Sequence, residues 1–531
     1  MLVVLIAVAV CSCSPSLVLS TPSSSPPSSA TFTIAPSATH STTTSPTPRS
    51  NATPVPPPST IACAYPTVSP PTTSLGSSLE PGMYVAYFAP TSNSPSLVIK
   101  AVDGETVRIV PTPKGAYLPS PYAESGISPH GKYFVYYTGS PRWLEELNHK
   151  FDLTLHVASI VDGEDRASIR LVRDTFVDDV QQEARALASN PPEELDGDSS
   201  SEIAAGLFDA FLVGITSVAW SPDGRYLAFA GAIDGPSSDI YLYDTENGSV
   251  RRLTSGPDEI LKIAWSPDGR WIMHGSAKVW EMGSSLTNHA VRFDGAQVVS
   301  FPFGGAFDRG WLTDHKYLVT EGANGIGSYD LAVLDIDEGQ RISVWPWDFG
   351  GLAWDATGST LLLSSFGIAA GSPGPGLYKI DMSHADRTKL ADDPFQSIEY
   401  WPAGRYEFVA TGFEHGLFGI TSEGNLQEIA DGTWILSVSP DLTSLALFGS
   451  AEKEGLYIMD DPNTSLRMLD NRDAYRGKWA PDSNWVMYRA GSFQEDSTIT
   501  VTKANFAEPM SLQVLPIRMC QYPEPVWIVA R

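Results

Sequence analysis

A β-propeller, an all-β ring of four-stranded antiparallel blades, is the fold class the sequence predicts. Three observations carry it. The segment Trp220-Ser221-Pro222-Asp223-Gly224-Arg225 returns 45 residues later as Trp265-Ser266-Pro267-Asp268-Gly269-Arg270, and that period is typical of blades. Each copy stands between short apolar runs, Thr216 to Trp220 and Tyr226 to Ala230 for the first, Leu261 to Trp265 and Trp271 to Met273 for the second. A third run ending in Asp follows, as in Tyr243-Asp244, Leu334-Asp335, Ile380-Asp381 and Met459-Asp460. Ser-Pro-Asp-Gly is a hairpin signal with a mechanism: Pro presets φ at the first central position, Asp suits the next, and Gly takes the left-handed residue that re-enters the strand.

The chain has 531 residues, 42% of them apolar and 10% aromatic, enough for a large core or repeat array. With 34 basic and 61 acidic residues its formal net charge is −27. Such a surface repels phosphate backbones and anionic headgroups, which argues against nucleic acid as a partner. Beyond the N-terminus no stretch is long and apolar enough to span a membrane.

Leu2 to Val10 is an uninterrupted apolar run ending at Cys11-Ser12-Cys13. It reads as the core of an export signal, although no Lys or Arg precedes it. The run into Cys11-Ser12-Cys13 resembles a bacterial lipobox. Cys13 is the expected lipidation site, with Cys11 less suited because the bulky Val10 precedes it. Residues 1–13 are thus read as signal with lipobox. Residues 14–80, rich in Ser, Thr and Pro and nearly free of charge, are read as a disordered tether that cannot bury a core. The protein is expected at the cell surface or in the periplasm, contacting the membrane through the lipid anchor only.

Residues 81–531 are read as the propeller. Met83 to Phe88, Ser96 to Ala101 and Thr106 to Val110 match the second, third and fourth strands of the unit at Trp220. Turns that vary in quality open units at Ile127, Trp220, Trp265, Trp311, Trp354, Tyr400, Val438 and Trp479. Eight blades are therefore expected, with seven as the alternative. The half-copy at Met83 to Val110 lacks a first strand, which Val526 to Ala530 is placed to supply; counting it would make nine, above the usual four to eight. The 93 residues between Ile127 and Trp220 are about two periods. Thr175 to Ser189 puts Phe176, Val180, Ala184 and Leu187 on one helical face, and Glu202 to Leu212 reads as a second helix. A helical insertion over 172–215 is expected to cap one end of the ring or pack on a blade edge. The Trp residues of the turns (Trp220, Trp265, Trp354) are expected to pack between blades.

Repeated Trp-Ser-Pro-Asp-Gly-Arg, an apolar strand, then Ile240-Tyr241-Leu242-Tyr243-Asp244, resembles the WD-like repeat of the TolB periplasmic protein, a repeat shared with the propellers of prolyl-oligopeptidase-type enzymes. The resemblance covers Pro81 to Arg531. It implies a propeller that binds envelope partners, and says little more, because this repeat supports many uses.

Loops after the second strand are long and chemically mixed, and in a propeller they share one end of the ring with the blade-to-blade connections. That end is the expected binding face. Its candidate residues are Trp143, Glu145, Glu146, Trp280, Glu281, Glu414, His415, Phe493 and Glu495. No Gly-x-Ser-x-Gly elbow, metal-spaced His pattern or phosphate loop occurs, so no catalytic residue, metal or cofactor is expected. Two functions follow: a monomeric interaction scaffold for a protein, peptide or envelope polymer, or a propeller enzyme acting on glycans with carboxylates in the central channel.

Cys63 and Cys520 remain after the signal. Both precede a Tyr-Pro pair at the same spacing, Cys63-Ala64-Tyr65-Pro66 and Cys520-Gln521-Tyr522-Pro523. An even pair in an exported chain usually bonds, and a ring brings its two ends together, so a Cys63–Cys520 disulfide is expected. Non-reducing peptide mapping of the native protein should recover the linked peptides. Two alkylatable thiols would rule the bond out.

Overall fold

The computed structural model describes residues 79–530 apart from 91–94, 117, 120–125, 140–152, 191–198, 202, 205, 208–216, 236, 257, 278–286, 302–305, 323–328, 347–348, 369–371, 384–385, 414–415, 450–453, 492–496, 505–509 and 516–524. The proposed signal, the tether up to residue 78, lipidation site Cys13 and both disulfide cysteines, Cys63 and Cys520, lie outside the described residues, while Leu79, at the tether's end, packs on the core cluster of blades 1 and 2.

Every Ser-Pro-Asp-Gly turn uses its polar atoms on itself. Ser221 Oγ donates to Asp223 Oδ1 at 2.6 Å and accepts from the Tyr226 amide at 2.8 Å, while the Arg225 amide donates to Asp223 Oδ1 at 3.0 Å. The second copy repeats this set with Ser266, Asp268, Arg270 and Trp271. Gly224 and Gly269 take φ of 67° and 70°, the left-handed conformation that closes the turn. In the degenerate copy at Ser439, Leu442 occupies that conformation at φ 60°, held because Thr443 and Ser444 still bond to Asp441 and Ser439. The third-strand Asp244 receives the Arg225 guanidinium at 2.9 and 3.3 Å, tying the turn to the next strand.

These hairpins assemble into nine blades, not the eight expected nor the alternative seven. Blade 1 is Val526–Ala530, Gly82–Pro90, Pro95–Ala101 and Thr106–Pro111. Blade 2 is Tyr133–Gly139, Leu153–Ser159 and Asp165–Arg170, with an Ile127–Phe134 bridge where the first strand would stand. Blades 3 to 9 are antiparallel sheets of four consecutive strands, beginning at Val218–Trp220, Glu259–Trp265, Ala306–Trp311, Phe349–Trp354, Phe395–Tyr400, Thr433–Val438 and Ala474–Trp479. The count differs because the half-copy at Met83 to Val110, set aside since a ninth blade exceeds the usual four to eight, is a blade of the ring. Its first strand comes from the far end of the chain, pairing Gly82 with Ala530, Tyr84 with Ile528 and Ala86 with Val526. The Met83 to Val110 half-copy is thereby a full blade within the ring.

Neighbouring blades are sewn by side chains that reach across the seams. The indole of Trp265 donates to Ala219 O of the preceding blade at 3.0 Å, Trp479 to Ser437 O at 3.3 Å, and Trp527 of blade 1 to Lys478 O of blade 9 at 3.3 Å. Trp220 and Trp265 are buried and Trp354 partly so, as packing residues should be. Buried Arg108 of blade 1 donates to Ile160 O at 3.0 Å and to Val161 O, across to blade 2.

The insertion contains helix α1, Phe176–Ser189, with Asp178 and Asp179 in its first turn, where the helix dipole favours acids. Phe176, Val180 and Ala184 are buried with Ile203, Ala204 and Leu207 in one cluster that also holds Val135, Tyr137, Trp220 and Phe229 of blades 2 and 3. The helical face therefore packs on the seam between two blades. Val172 forms a parallel bridge with Ala232, which pins the insertion at the end of a blade 3 strand.

Ring closure makes a quantitative demand on Ile528, 1% exposed in the cluster with Tyr84, Phe134 and Tyr136. Ile528→Ala is expected to cost about 2–5 kcal/mol in denaturant unfolding. A loss below about 0.5 kcal/mol, the size of an ordinary surface change, would mean that this strand does not close the ring.

Candidate functional site

All nine sequence-predicted face residues, Trp143, Glu145, Glu146, Trp280, Glu281, Glu414, His415, Phe493 and Glu495, lie outside the described residues. The strand ends that flank them are described. Gly139 pairs with Leu153, Ser276 with Thr287, Thr411 with Leu417 and Ala490 with Thr498. Each pair closes the second and third strands at the end opposite the Ser-Pro-Asp-Gly turns. That end also carries the blade-to-blade connections and the anchor point of the insertion, so it forms the loop face.

On this face, blades 3 and 4 bury a polar cluster that the sequence did not single out. Glu259, which opens the first strand of blade 4, is 8% exposed and accepts from the Ser238 amide at 2.9 Å and the Ser238 hydroxyl at 2.5 Å. Burial pushes its carboxyl up to about 7; the Ser238 bonds oppose that rise, and the acids Glu183 and Asp239 add to it. Asp239 is also raised by burial, partly offset by Thr254 and Arg252. Arg252 joins Asp239 to Asp234, 3.0 Å from the latter, and the Tyr241 hydroxyl donates to Asp234.

Beside it lie two stacked imidazoles, His274 and His289, with ring centroids 5.0 Å apart. His289 is held by Ser276 Oγ at 3.0 Å and Ser300 Oγ at 2.8 Å. His274 is 4% exposed, and neither ring nitrogen makes a hydrogen bond of ordinary geometry among the described residues. Burial, then the neighbouring His289, pushes it down to about 3, against a contrary effect of the Gly275 backbone, so it is neutral at physiological pH. His289 is lowered as well, by burial. No group of three His, Cys, Asp or Glu among the described residues is arranged to hold a metal ion.

Blade 2 repeats the arrangement. His156 lies 4.6 Å from the Tyr136 ring, with Nε2 2.7 Å from Thr138 Oγ1 and Nδ1 2.8 Å from Asp165 Oδ2. Hydroxyl, imidazole and carboxylate in that order suit nucleophilic catalysis. The same position of blade 4 has the same ring on Ser276 and Ser300, without a carboxylate, and blade 3 places Tyr241 there, stacked on Phe229 at 5.8 Å. A pattern shared by three successive blades is a device that ties second, third and fourth strands together. Two polar residues interrupting apolar strands, His274 and His289, were the available signal; their burial depends on blade 3 and is invisible locally.

Residues 209–235, which include the first two strands of blade 3, match the WD domain, G-beta repeat. The chain is a β-propeller carrying WD-like repeats. No curated relative matches the sequence. Among solved structures it is similar to a eukaryotic initiation factor, at 13% identity over 84% of this chain and 98% of that one, with a TM-score of 0.46. The β-propeller domain of the Trilobed protease from Pyrococcus furiosus is 13% identical over 75% and 98%, with a TM-score of 0.34. TolB from Acinetobacter baumannii is 14% identical over 72% and 80%, with a TM-score of 0.29. The fold assignment rests on the nine sheets themselves.

Glu259 supplies a pH test with a definite sign. Its folded pKa lies above the 4.5 of an exposed glutamate, so the native state holds more protons, and stability falls as pH rises from about 4.5 to about 7. Glu259→Gln removes that slope. The melting temperature of the variant minus that of the wild type should therefore grow between pH 5 and pH 8. A difference that is constant over this range, or that shrinks, contradicts the burial of a protonated carboxyl.

Proposed function

We propose that this protein is an exported, lipid-anchored β-propeller that works as a binding scaffold, holding a protein, peptide or envelope polymer on its loop face. The supporting observation is the contrast between the two ends of the ring. At the turn end, Ser221, Asp223, Ser266 and Asp268 spend their polar atoms on closing hairpins. At the loop end the chemistry varies from blade to blade: Glu259 and the exposed Asp234 at blades 3 and 4, and exposed phenylalanines at blades 6 and 7. Variable chemistry on a rigid frame is how a binding surface is built. Cys13 is the proposed anchor, and residues 14–80 the tether that carries the ring away from the membrane.

The glycan-enzyme reading requires two carboxylates about 5–10 Å apart in a pocket. Two first-strand acids have raised pKa values, Glu259 in blade 4 and Glu399 in blade 7, both through burial. They stand three blades apart in a ring of nine, and the acids nearer to Glu259 make no free pair, since Glu259 accepts from Ser238 and Asp239 is bonded to Arg252 and Thr254. The geometry therefore favours the scaffold.

Capture of partners from envelope extracts tests the assignment. Lys substitutions at Glu145, Glu281 and Glu414 should reduce capture about ten-fold, the scale of losing a central contact. His130→Lys with Pro267→Lys, at the turn end, should leave it unchanged. A greater loss from the turn-end pair, with melting temperature preserved, would assign the binding face to the other end.

A further inference from the structure

The connection from blade 3 to blade 4 lies as a strap along the loop end of blade 3, and side chains clip it there. Ser237 Oγ donates to Gly256 O at 2.5 Å. Thr254 Oγ1 donates to Asp239 Oδ1 at 3.0 Å and accepts from the Ile240 amide at 2.9 Å. Where the strap enters blade 4, the Ser238 amide and hydroxyl both donate to Glu259 Oε2, and that hydroxyl accepts from the Ile260 amide at 2.8 Å. Ser237, Ser238 and Asp239 are buried, so the clips are made away from water. Leu253 and Ile260, at the two ends of the strap, both pack in the apolar cluster between blades 3 and 4.

Glu259 is the clip partner whose charge changes near neutrality, and its surroundings suit the neutral form. Glu183, which acts on it from helix α1, precedes the buried Ala184 and is itself raised by burial. Blade 3 presents Asp239 and Asp234, and Arg252 is already paired with both. The charged residues beside Glu259 in its own segment are Asp258 and Lys262. On the next strands of blade 4 stand His274, which pairs with Ile263, and His289; burial lowers both imidazoles. A carboxylate held at Ser238 would thus lie among acids with little access to water, a far costlier state than the neutral carboxyl.

We infer that the strap is a proton-dependent latch: with Glu259 protonated it stays clipped to Ser238, and with Glu259 ionised it lifts between Leu253 and Ile260 as a local opening that leaves the blades folded. Lifting breaks only the clips. Separating blades 3 and 4 instead would uncover Ile240, Ile263 and Ile272 as well, so the strap moves and the seam holds. The sign follows from the two states of the carboxyl. In the closed strap Glu259 titrates at about 7, and in water at 4.5. The open population therefore grows with pH, by up to about ten-fold per unit between those values, and levels off above them. The latch itself stands apart from the scaffold reading. Its use, a loop face that differs between acid and neutral surroundings, rests on that reading.

Hydrogen–deuterium exchange of the full chain, without a partner, tests the latch at pH 5, 6, 7 and 8 after correction for the intrinsic pH dependence of amide exchange. The Ser238 and Ile240 amides lose their acceptors, Glu259 and Thr254, when the strap lifts. Their protection should fall roughly forty-fold between pH 5 and pH 7, and about two-fold more by pH 8. Ala228–Ala230, in the middle of blade 3, should keep its protection throughout. In Glu259→Gln, which cannot ionise, Ser238 and Ile240 should be as protected at pH 8 as at pH 5. Protection at these two amides that is flat with pH in the wild type, or still lost with rising pH in Glu259→Gln, overturns the latch. A parallel loss at Ala228–Ala230 also overturns it, because proton release would then be coupled to unfolding of the blade. The wild-type series decides by itself if Glu259→Gln does not fold. Capture from envelope extracts tests the loop face separately, so the latch can fail while the scaffold reading stands, and the reverse.

Discussion

The fold depends on a five-residue strand that arrives last. A ring of sheets has no covalent bond between its first and last blades, and an open ring would expose a strand edge and two apolar blade faces. Here Val526–Ala530 pairs with Gly82–Ala86, so one blade is built from both ends of the propeller sequence. Ile528 fills the space beside Gly131, where a Cβ would collide with Ile528 Cγ2. Trp527 reaches back to Lys478 O in blade 9. Closure is thus made by backbone pairing, by packing into blade 2 and by an indole contact to blade 9.

Inside the ring the two ends of a blade do different work. The turn end repeats one chemistry, with serine and aspartate consumed by local hydrogen bonds, and its uniformity keeps the hairpins in register. The loop end is relieved of that duty. It buries Glu259 and two neutral imidazoles between blades 3 and 4, which costs stability that the apolar residues below them, Ala230, Ile240 and Ile272, help to offset. At blades 6 and 7 it leaves phenylalanines uncovered. Polar groups held at such cost, and apolar groups left in water, are departures from what folding alone would select.

The hairpins could be read from the sequence because their determinants are local. Ser266, Asp268 and Gly269 act on atoms within five residues of themselves, and helix α1 showed its apolar face through spacing alone. The blade count differs by one because the half-copy completed by Val526–Ala530 exceeds the usual four to eight blades, and only its pairing with Gly82–Ala86 shows that it belongs to the ring. Glu259 and His274 were missed for a related reason. Their shifted pKa values come first from burial, with His289 adding for His274 and Glu183 and Asp239 for Glu259, and a polar residue interrupting an apolar strand was the only local mark of it. Phe366 and Phe413 come together only through the register that sets Phe395 beside Gly412.

Amide hydrogen–deuterium exchange tests the closed nine-bladed ring most directly. In native conditions the amides of Val526–Ala530 and Gly82–Ala86 should be protected to the same degree as those of Tyr226–Gly231 in the middle of blade 3, and should open together with blade 9. Exchange of Val526–Ala530 at the rate of an unpaired segment, while Tyr226–Gly231 remains protected, would contradict the closure from which the nine-blade count follows.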